Sequence, residues 1–345
     1  MMKFSIVSLN WNGKRYLGEL LDRHMKSLLN INYDNFEIIF VDNGSTDGSA
    51  DYIKTRYHDA RLKVIRLRRN FGYAKGNNLG AMFAGKDSDV LIFVNTDTIL
   101  HKDCLKELAK VFADPKVGIA QPLLLDLDTG MIQYMGGYAD YYGRTMTIGS
   151  SNNRYINNVL WQLIRHFKFR PLHILWAYGA CIAVRKTLFD QIGGFNELFK
   201  FSHEEQTLCI PITGLGFDVV LVPKSVVYHK GSATIKYLKL STEHTYNRFL
   251  FIMLYYPLRG APKALIGRFL LELNNSLRLH DPITFFRVLI KTLTKLKLIV
   301  YCRKKSPKLL PSPFLTKSSI FLTKNHYVSL TIDKLLEVNR IALNG

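Results

Sequence analysis

The chain has 345 residues, of which 48% are apolar, and it carries a formal net charge of +20. This size and apolar content exclude wholesale disorder and allow one large α/β domain with additions, or two domains. The four cysteines lie far apart and form no CxxC pair, which argues against a zinc site or a disulfide framework. No apolar segment suits a signal peptide, and no stretch of 18 residues lacks charge, so we expect a cytoplasmic protein without a transmembrane helix.

The positive charge is concentrated in the last third of the chain. Residues 1–229 carry 27 Lys and Arg against 22 Asp and Glu, whereas residues 230–345 carry 20 against 5. A basic block of this kind predicts an anionic partner, either a membrane surface or a nucleic acid. The alternative is a basic face that is merely solvated.

Strands and helices alternate through the first 121 residues. The apolar runs typical of buried parallel strands are Phe4–Asn10, Phe36–Val41, Leu62–Arg66, Val90–Val94 and Val117–Gln121. The segments between them predict four helices. One covers residues 14–30, one begins at Ser49, one ends at Ala84 and one covers residues 102–112. Alternation at this spacing is typical of βαβ units and predicts an α/β fold with a mainly parallel sheet.

The alternation stops at residues 126–172, where repeated Gly and Tyr predict hairpins or a long loop over one sheet edge. Strand-like runs return at Trp176–Val184 and Val219–Pro223, with helices expected over Lys186–Ile192 and from His203. We expect residues 1–239 to form the catalytic domain.

From about residue 240 the sequence becomes basic and apolar. Phe249–Leu258 is free of charge, and residues 263–275 and 284–301 mix apolar side chains with spaced Lys and Arg. Such segments suit helices that lie in a bilayer interface, and the alternative is a helical subdomain packed on the catalytic core. We expect this region to span 240–302, followed by a Pro-containing linker and tail over 303–345 with a last helix near 331–341.

Polar residues follow the predicted strands at one sheet edge, where open α/β sheets bind their ligands. Asp97, after the strand Val90–Val94, can hold Mg²⁺ or Mn²⁺ against a phosphate, and His229 could add an imidazole. Asp42 could accept a hydrogen bond from a base, or could simply form an Asx turn. The glycines of the loop Asn70–Asn78 permit close approach to a phosphate at the following helix.

Glu204 and Glu205 form an acidic pair at a predicted helix start. The helix dipole alone would favour carboxylates there. One of them could instead act as a general base that takes a proton from an acceptor hydroxyl.

Seven segments in order resemble the family 2 glycosyltransferases of the GT-A fold, especially the rhamnosyltransferase-like branch. They are Ile6–Asn12, Val41–Ser49, Asn70–Asn78, Phe93–Thr98, Tyr178–Cys181, Glu204–Cys209 and Val227–Gly231. The resemblance covers about residues 3–235 and implies a Rossmann-like domain with a mixed, mainly parallel sheet and a C-terminal, membrane-associating helical extension.

The resemblance also implies roles for individual residues. The donor side would comprise Asn10, Asp42, Asn70, Gly72, Gly76, Asn77, Asn95 and Thr96. Asp97 and His229 would bind the metal, and the acceptor side would include Trp176, Gly179 and Ala180. Only the last position of the metal motif Asn95-Thr96-Asp97 is acidic, and the family's usual Glu-Asp pair reads Glu204-Glu205. We expect Glu205 to be the base, with Glu204 as the alternative.

The implied activity is inverting sugar transfer from a UDP, GDP or dTDP sugar to a hydroxyl of a glycan or lipid-linked glycan. The enzyme would need Mg²⁺ or Mn²⁺ and would sit at the cytoplasmic face of the membrane. A sugar-phosphate nucleotidyltransferase or a dehydrogenase would need a Gly-rich loop after the first strand, where this chain has one glycine, Gly13. The remaining alternatives are a nucleic-acid-binding protein that uses the basic tail and an inactive glycosyltransferase-like binding protein.

Overall fold

The computed structural model describes residues 1–140, 145–150, 153–199, 202–231, 241–256, 258, 260–278, 282–305 and 315–316. Within these residues, one mixed sheet of ten strands forms the centre of the molecule. Its strands are β1 (Phe4–Asn10), β2 (Phe36–Asp42), β3 (Leu62–Arg66), β4 (Val90–Asn95), β5 (Thr98–Leu100), β6 (Val117–Asp126), β7 (Ile132–Tyr134), β10 (Leu172–His173), β11 (Cys181–Arg185) and β12 (Asp218–His229). A smaller sheet contains β8 (Gly137–Asp140), β9 (Thr145–Thr147) and β13 (Leu315–Thr316).

Helices cover the sheet and extend the chain beyond it. They are α1 (Gly13–Leu17), α2 (Glu19–Leu29), α3 (Ser49–Arg56), α4 (Tyr73–Ala81), α5 (Cys104–Phe112), α6 (Arg154–His166), α7 (Lys186–Ile192), α8 (Glu204–Gly214), α9 (Ser241–Tyr255), α10 (Ala261–Arg278), α11 (Pro282–Thr294) and α12 (Leu296–Lys305). No helix formed by the described residues is long and apolar enough to cross a membrane.

The order of the sheet explains where its polar strand ends meet. Strands β3, β2, β1 and β4 are parallel neighbours, and β11 then runs antiparallel between β4 and β6. The prediction of a mixed α/β sheet is therefore confirmed, with β3, β2, β1 and β4 as one parallel group and β6 and β12 as a second parallel pair. Asn10 pairs with Asp42, and Leu9 pairs with Asn95, so the carboxyl ends of β1, β2 and β4 share one edge.

Several element boundaries differ from the predicted ones for local reasons. The helix predicted over 14–30 is broken at Gly18, whose φ of +54° interrupts the helical backbone. The strand predicted from Trp176 begins only at Cys181. The run that begins at Val219 continues to His229, because an irregularity between Val222 and Val226 accommodates Pro223 in the strand.

Residues 126–172 contain a hairpin and a helix in addition to the small sheet. Strand β7 pairs antiparallel with β6, and α6 follows the described part of the small sheet. The prediction of hairpins in this region agrees with β6–β7 and β8–β9.

Helix α9 packs into the core of the α/β domain. Phe249, Phe251 and Ile252 belong to the same buried apolar cluster as Phe195 and Phe199 of the catalytic domain. Residues 249–256 of the apolar run therefore pack mainly against protein, whereas Leu258 is 75% exposed, and this packing supports the alternative of a helical subdomain on the core for residues 249–256. The predicted helix at 331–341 and most of the predicted linker lie outside the described residues.

Candidate active site

A cavity of about 250 Å³ opens at the shared carboxyl edge of β1, β2 and β4. The predicted site residues that line it are Asn10, Asn70, Gly72, Asn95, Thr96, Asp97, Gly179, Ala180, Glu204, Glu205 and His229. They come from widely separated segments of the chain, so the fold brings most of the predicted site residues together in one cavity.

Four predicted residues lie outside this lining. Asp42 is buried behind the cavity and accepts a hydrogen bond from Asn10 Nδ2 at 3.0 Å. Gly76 and Asn77 are buried in the first turns of α4, and Trp176 is buried in the apolar core. The functional roles of these four residues stay predictions.

Asp97 and His229 face each other in the cavity wall. Asp97 Oδ1 lies 3.4 Å from His229 Nε2, and both side chains are largely buried. His229 Nδ1 is 2.7 Å from Gln133 Oε1, and an amide oxygen can only accept a hydrogen bond. In the neutral tautomer that carries its proton on Nδ1, the imidazole presents the lone pair of Nε2 toward Asp97.

This pair fits a divalent cation that is shared with a phosphate. Ligand atoms about 2.1 Å from a six-coordinate ion lie about 3 Å apart, close to the observed 3.4 Å. Among the residues that the structure describes, no cluster of three or more His, Cys, Asp or Glu side chains could hold a metal alone. Phosphate and water oxygens would have to complete the coordination, as Mg²⁺ and Mn²⁺ commonly require.

Glu204 and Glu205 reach the cavity from the first turn of α8. The two residues before them, Ser202 and His203, have φ of +65° and +70°, which is a strained conformation for residues with a Cβ. His203 packs against Phe251 of α9 at a ring-centroid distance of 5.4 Å. Helix α9 thus supports the strained turn that carries the two carboxylates.

The two carboxylates share surroundings that disfavour their charged forms. Desolvation raises the pKa of Glu205 to about 7. Desolvation, followed by repulsion from Glu205, raises the pKa of Glu204 well above its ordinary value. Glu204 Oε2 is buried and has no hydrogen-bond partner among the residues that the structure describes. A carboxylate whose pKa is raised toward 7 is suited to accept a proton at neutral pH.

The loop on the donor side of the cavity is fixed by Asn43. Its amide donates to Asn70 Oδ1 and to the Gly72 carbonyl at 3.1 Å each, and its Oδ1 accepts from the Phe71 N–H at 3.0 Å. Gly44 permits this contact, because a Cβ there would lie 2.3 Å from the Arg69 carbonyl carbon and φ is +70°.

Tyr73 connects this loop to the other side of the cavity. Its hydroxyl donates to the Gly179 carbonyl at 2.7 Å. The start of α4 is thereby joined to the segment before β11, which contains two of the predicted acceptor residues.

Sequence reasoning missed several residues of the site. Besides Gln133, which contacts His229, the site includes Tyr134 and Tyr178, whose rings stack at a centroid distance of 3.6 Å and an angle of 14°. His244 of α9 and Trp11 also line the cavity. The repeated tyrosines near Tyr134 are a visible signal in the sequence, but only the pairing of β7 with β6 places that segment beside Asp97 and His229.

Comparison with known proteins identifies the family. The family model described as Glycosyl transferase family 2 matches residues 5–193. An N-acetylglucosaminyl-diphospho-decaprenol L-rhamnosyltransferase from Mycobacterium tuberculosis is 27% identical over 63% of this chain and 74% of its own length. The O-antigen biosynthesis protein RfbC from Myxococcus xanthus is 26% identical over 63% of this chain, but the match spans only 16% of that protein.

Solved structures share the fold at low sequence identity. Staphylococcus aureus TarS 1-349 in complex with UDP-GlcNAc has a TM-score of 0.57 at 20% identity, covering 88% of each chain. The mannosyltransferase PcManGT from Pyrobaculum calidifontis, in complex with GDP-Man and Mn²⁺, has a TM-score of 0.54 at 15% identity. It covers 97% of this chain and 85% of its own. With a family model that matches more than half of its residues, the chain belongs to glycosyl transferase family 2.

Proposed function

We propose that this protein transfers a sugar, with inversion, from a nucleotide-sugar donor to a hydroxyl of a glycan or lipid-linked glycan. The observation that carries this proposal is the arrangement of the cavity. The cavity is lined both by the facing pair Asp97 and His229 and by two carboxylates, the buried Glu204 and the partly exposed Glu205. One pair suits a metal-bound diphosphate, and the other suits proton removal from an acceptor.

Asp97 and His229 are the residues that would hold a divalent cation, Mg²⁺ or Mn²⁺. When bound, such a cation neutralises charge on the departing nucleoside diphosphate. Gln133 keeps the His229 lone pair directed toward the site through its hydrogen bond to Nδ1. Related structures support this choice, since PcManGT is in complex with GDP-Man and Mn²⁺.

In the proposed reaction, Glu205 takes the proton from the acceptor hydroxyl. The acceptor oxygen then forms a bond to the anomeric carbon while the bond from that carbon to the diphosphate oxygen breaks. Asn10, Asn70 and Gly72, with Asn95 and Thr96, border the donor side in this proposal. Gly179 and Ala180 border the acceptor side, next to the stacked Tyr134 and Tyr178.

The proposed partner of the C-terminal third is a membrane surface at the cytoplasmic face, where a lipid-linked acceptor would be available. Support comes from the 20 Lys and Arg against 5 Asp and Glu in residues 230–345. The rhamnosyltransferase relative from M. tuberculosis is named for a diphospho-decaprenol substrate.

Calorimetric titration with UDP, GDP and dTDP tests the donor side of this proposal. We expect one of the three to bind, and to bind at least about tenfold more tightly with Mn²⁺ or Mg²⁺ because only two protein ligands are available. Replacing Asp97 with Asn should remove that metal dependence without changing the melting temperature substantially. Binding of none of the three nucleotides would contradict the proposal.

A further inference from the structure

Helix α10 directs two of its charged residues inward and three large apolar residues outward. Arg268 and Glu272 are 7% and 6% exposed, whereas Ile266, Leu270 and Leu277 are 62%, 49% and 65% exposed. A surface helix of a soluble protein normally has the reverse arrangement. The outward side chains recur at intervals of four and seven residues, so they form one row along the helix.

An ion pair with α9 stabilises α10 in this orientation. Glu272 accepts a hydrogen bond from Arg248 of α9 at 2.9 Å and is also paired with Arg268. Turning the apolar row inward would break the ion pair between Glu272 and Arg248 of α9, whereas the Arg268–Glu272 pair lies within α10 and would move with the helix. The row therefore stays outward in the folded chain.

Helix α11, which contacts α10, carries a second row of exposed apolar side chains. Ile283, Phe286 and Ile290 are 62%, 60% and 62% exposed and recur every three or four residues. Phe285 of α11 contacts Phe269 of α10 at a ring-centroid distance of 5.2 Å, which brings the two helices together at this side. We call these outward side chains the apolar face, comprising Ile266, Leu270, Leu277, Ile283, Phe286 and Ile290.

The charges around the apolar face are positive. Arg287 is exposed within the row of α11, one turn from Ile283 and from Ile290, and Lys297 is exposed on α12. The two carboxylates in the described part of 241–305 are both engaged, Glu272 with the arginines and Glu243 with Lys291 at 2.6 Å. A second copy of the chain would bring cations against cations, whereas an anionic lipid surface complements them.

We propose that the apolar face docks on an anionic lipid bilayer, with its side chains in the interface and Arg287 among the headgroups. This inference deepens the proposed function, on which it rests, by naming the surface that would bring the cavity to a lipid-linked acceptor. The proposal assigns the lipid contact to the apolar face and not to the charge-free run at 249–258, because α9 is packed in the core. Apolar side chains combined with Lys and Arg on one helix face are typical of interfacial helices.

The test is co-sedimentation of the full chain with vesicles of phosphatidylcholine containing phosphatidylglycerol. The variant carries Ile266→Ser, Ile283→Ser and Ile290→Ser, which change only exposed positions. We expect its vesicle affinity to fall at least about tenfold. A matched control carries Met82→Ser and Tyr155→Ser, both 78% exposed and far from α10 and α11 in sequence, and should bind like the native chain.

Two further measurements make the result decisive. Arg287→Glu should weaken binding to the anionic vesicles and leave the weaker binding to pure phosphatidylcholine almost unchanged. Native-like vesicle binding by the triple Ser variant would overturn the proposal. The proposal would also be overturned if sedimentation velocity showed the native chain as an oligomer and the triple Ser variant as a monomer, because the face would then join copies of the chain. Nucleotide binding, measured on the same variants, should stay at the native level, so a failure here is distinct from a failure of the proposed function.

Discussion

Replacing Glu205 with Gln tests whether a desolvated carboxylate lies in the cavity, independently of any substrate. Gln preserves the shape of the side chain and removes its charge and basicity. The pKa of Glu205 is raised to about 7 from the ordinary 4.5. Because the pKa of Glu205 is higher in the folded state than in the unfolded state, protonation favours folding. The free-energy cost of holding the charged form in the folded protein is therefore small below pH 4.5. That cost grows as the pH rises and is complete above about 7.

The linkage relation gives the size of this cost. For a single group with these two pKa values, it is about 1 kcal/mol at pH 5 and about 3 kcal/mol at pH 8.5. Glu205→Gln should therefore stabilise the protein at both pH values, and more strongly at the higher one. Thermal melting at pH 5 and pH 8.5 measures the difference, with Glu19→Gln as the control at an exposed position. An equal effect of Glu205→Gln at the two pH values would refute the desolvation argument.

The same variant should lose sugar transfer by roughly 10²- to 10⁴-fold, because it removes the proposed general base. Nucleotide affinity should remain near the native level, since Glu205 acts on the acceptor hydroxyl and not on the diphosphate in the proposed reaction. Transfer by the native enzyme should rise with pH through about 7 as the carboxylate ionises, in line with the raised pKa of Glu205. Native turnover by Glu205→Gln, with loss in Glu204→Gln, would move the role of base to Glu204.

Two further predictions concern the support of the site. Gly44→Ala should destabilise the protein by at least about 2 kcal/mol, because its Cβ would overlap the Arg69 backbone. Gly48→Ala is its control, with a similar φ of +79° but no atom within 4 Å, and a melting loss as large as that of Gly44→Ala would contradict the argument. Gln133→Leu should weaken metal-dependent nucleotide binding by roughly 10- to 100-fold, because His229 loses the acceptor for Nδ1. Unchanged affinity in calorimetry would show that Gln133 does not position the imidazole.

The strand-end residues were predictable because local patterns and sheet geometry act together. An apolar run such as Val90–Val94 is recognisable from composition, and parallel strands bring their carboxyl ends to the same edge. Asn10 and Asp97 could thus be assigned to one site from the sequence alone. The order of seven family motifs added the expectations for Glu205 and His229.

Other parts of the site depend on pairings that no local pattern encodes. Gln133 and Tyr134 reach the site only because β7 folds back on β6 within the irregular region 126–172. His244 is in the lining because α9 packs on the catalytic domain. The sequence pattern of α9 could not distinguish a protein core from a lipid interface, because both environments favour the same apolar side chains.

Release of nucleoside diphosphate from a panel of UDP, GDP and dTDP sugars tests the central claim most directly. The assay compares the native chain with Asp97→Asn, each with Mg²⁺, with Mn²⁺ and with a chelator. We predict release from at least one donor that requires the metal and is lost in Asp97→Asn while that variant keeps the native melting temperature. Absence of release from every donor, or release that persists equally in Asp97→Asn, would contradict the account.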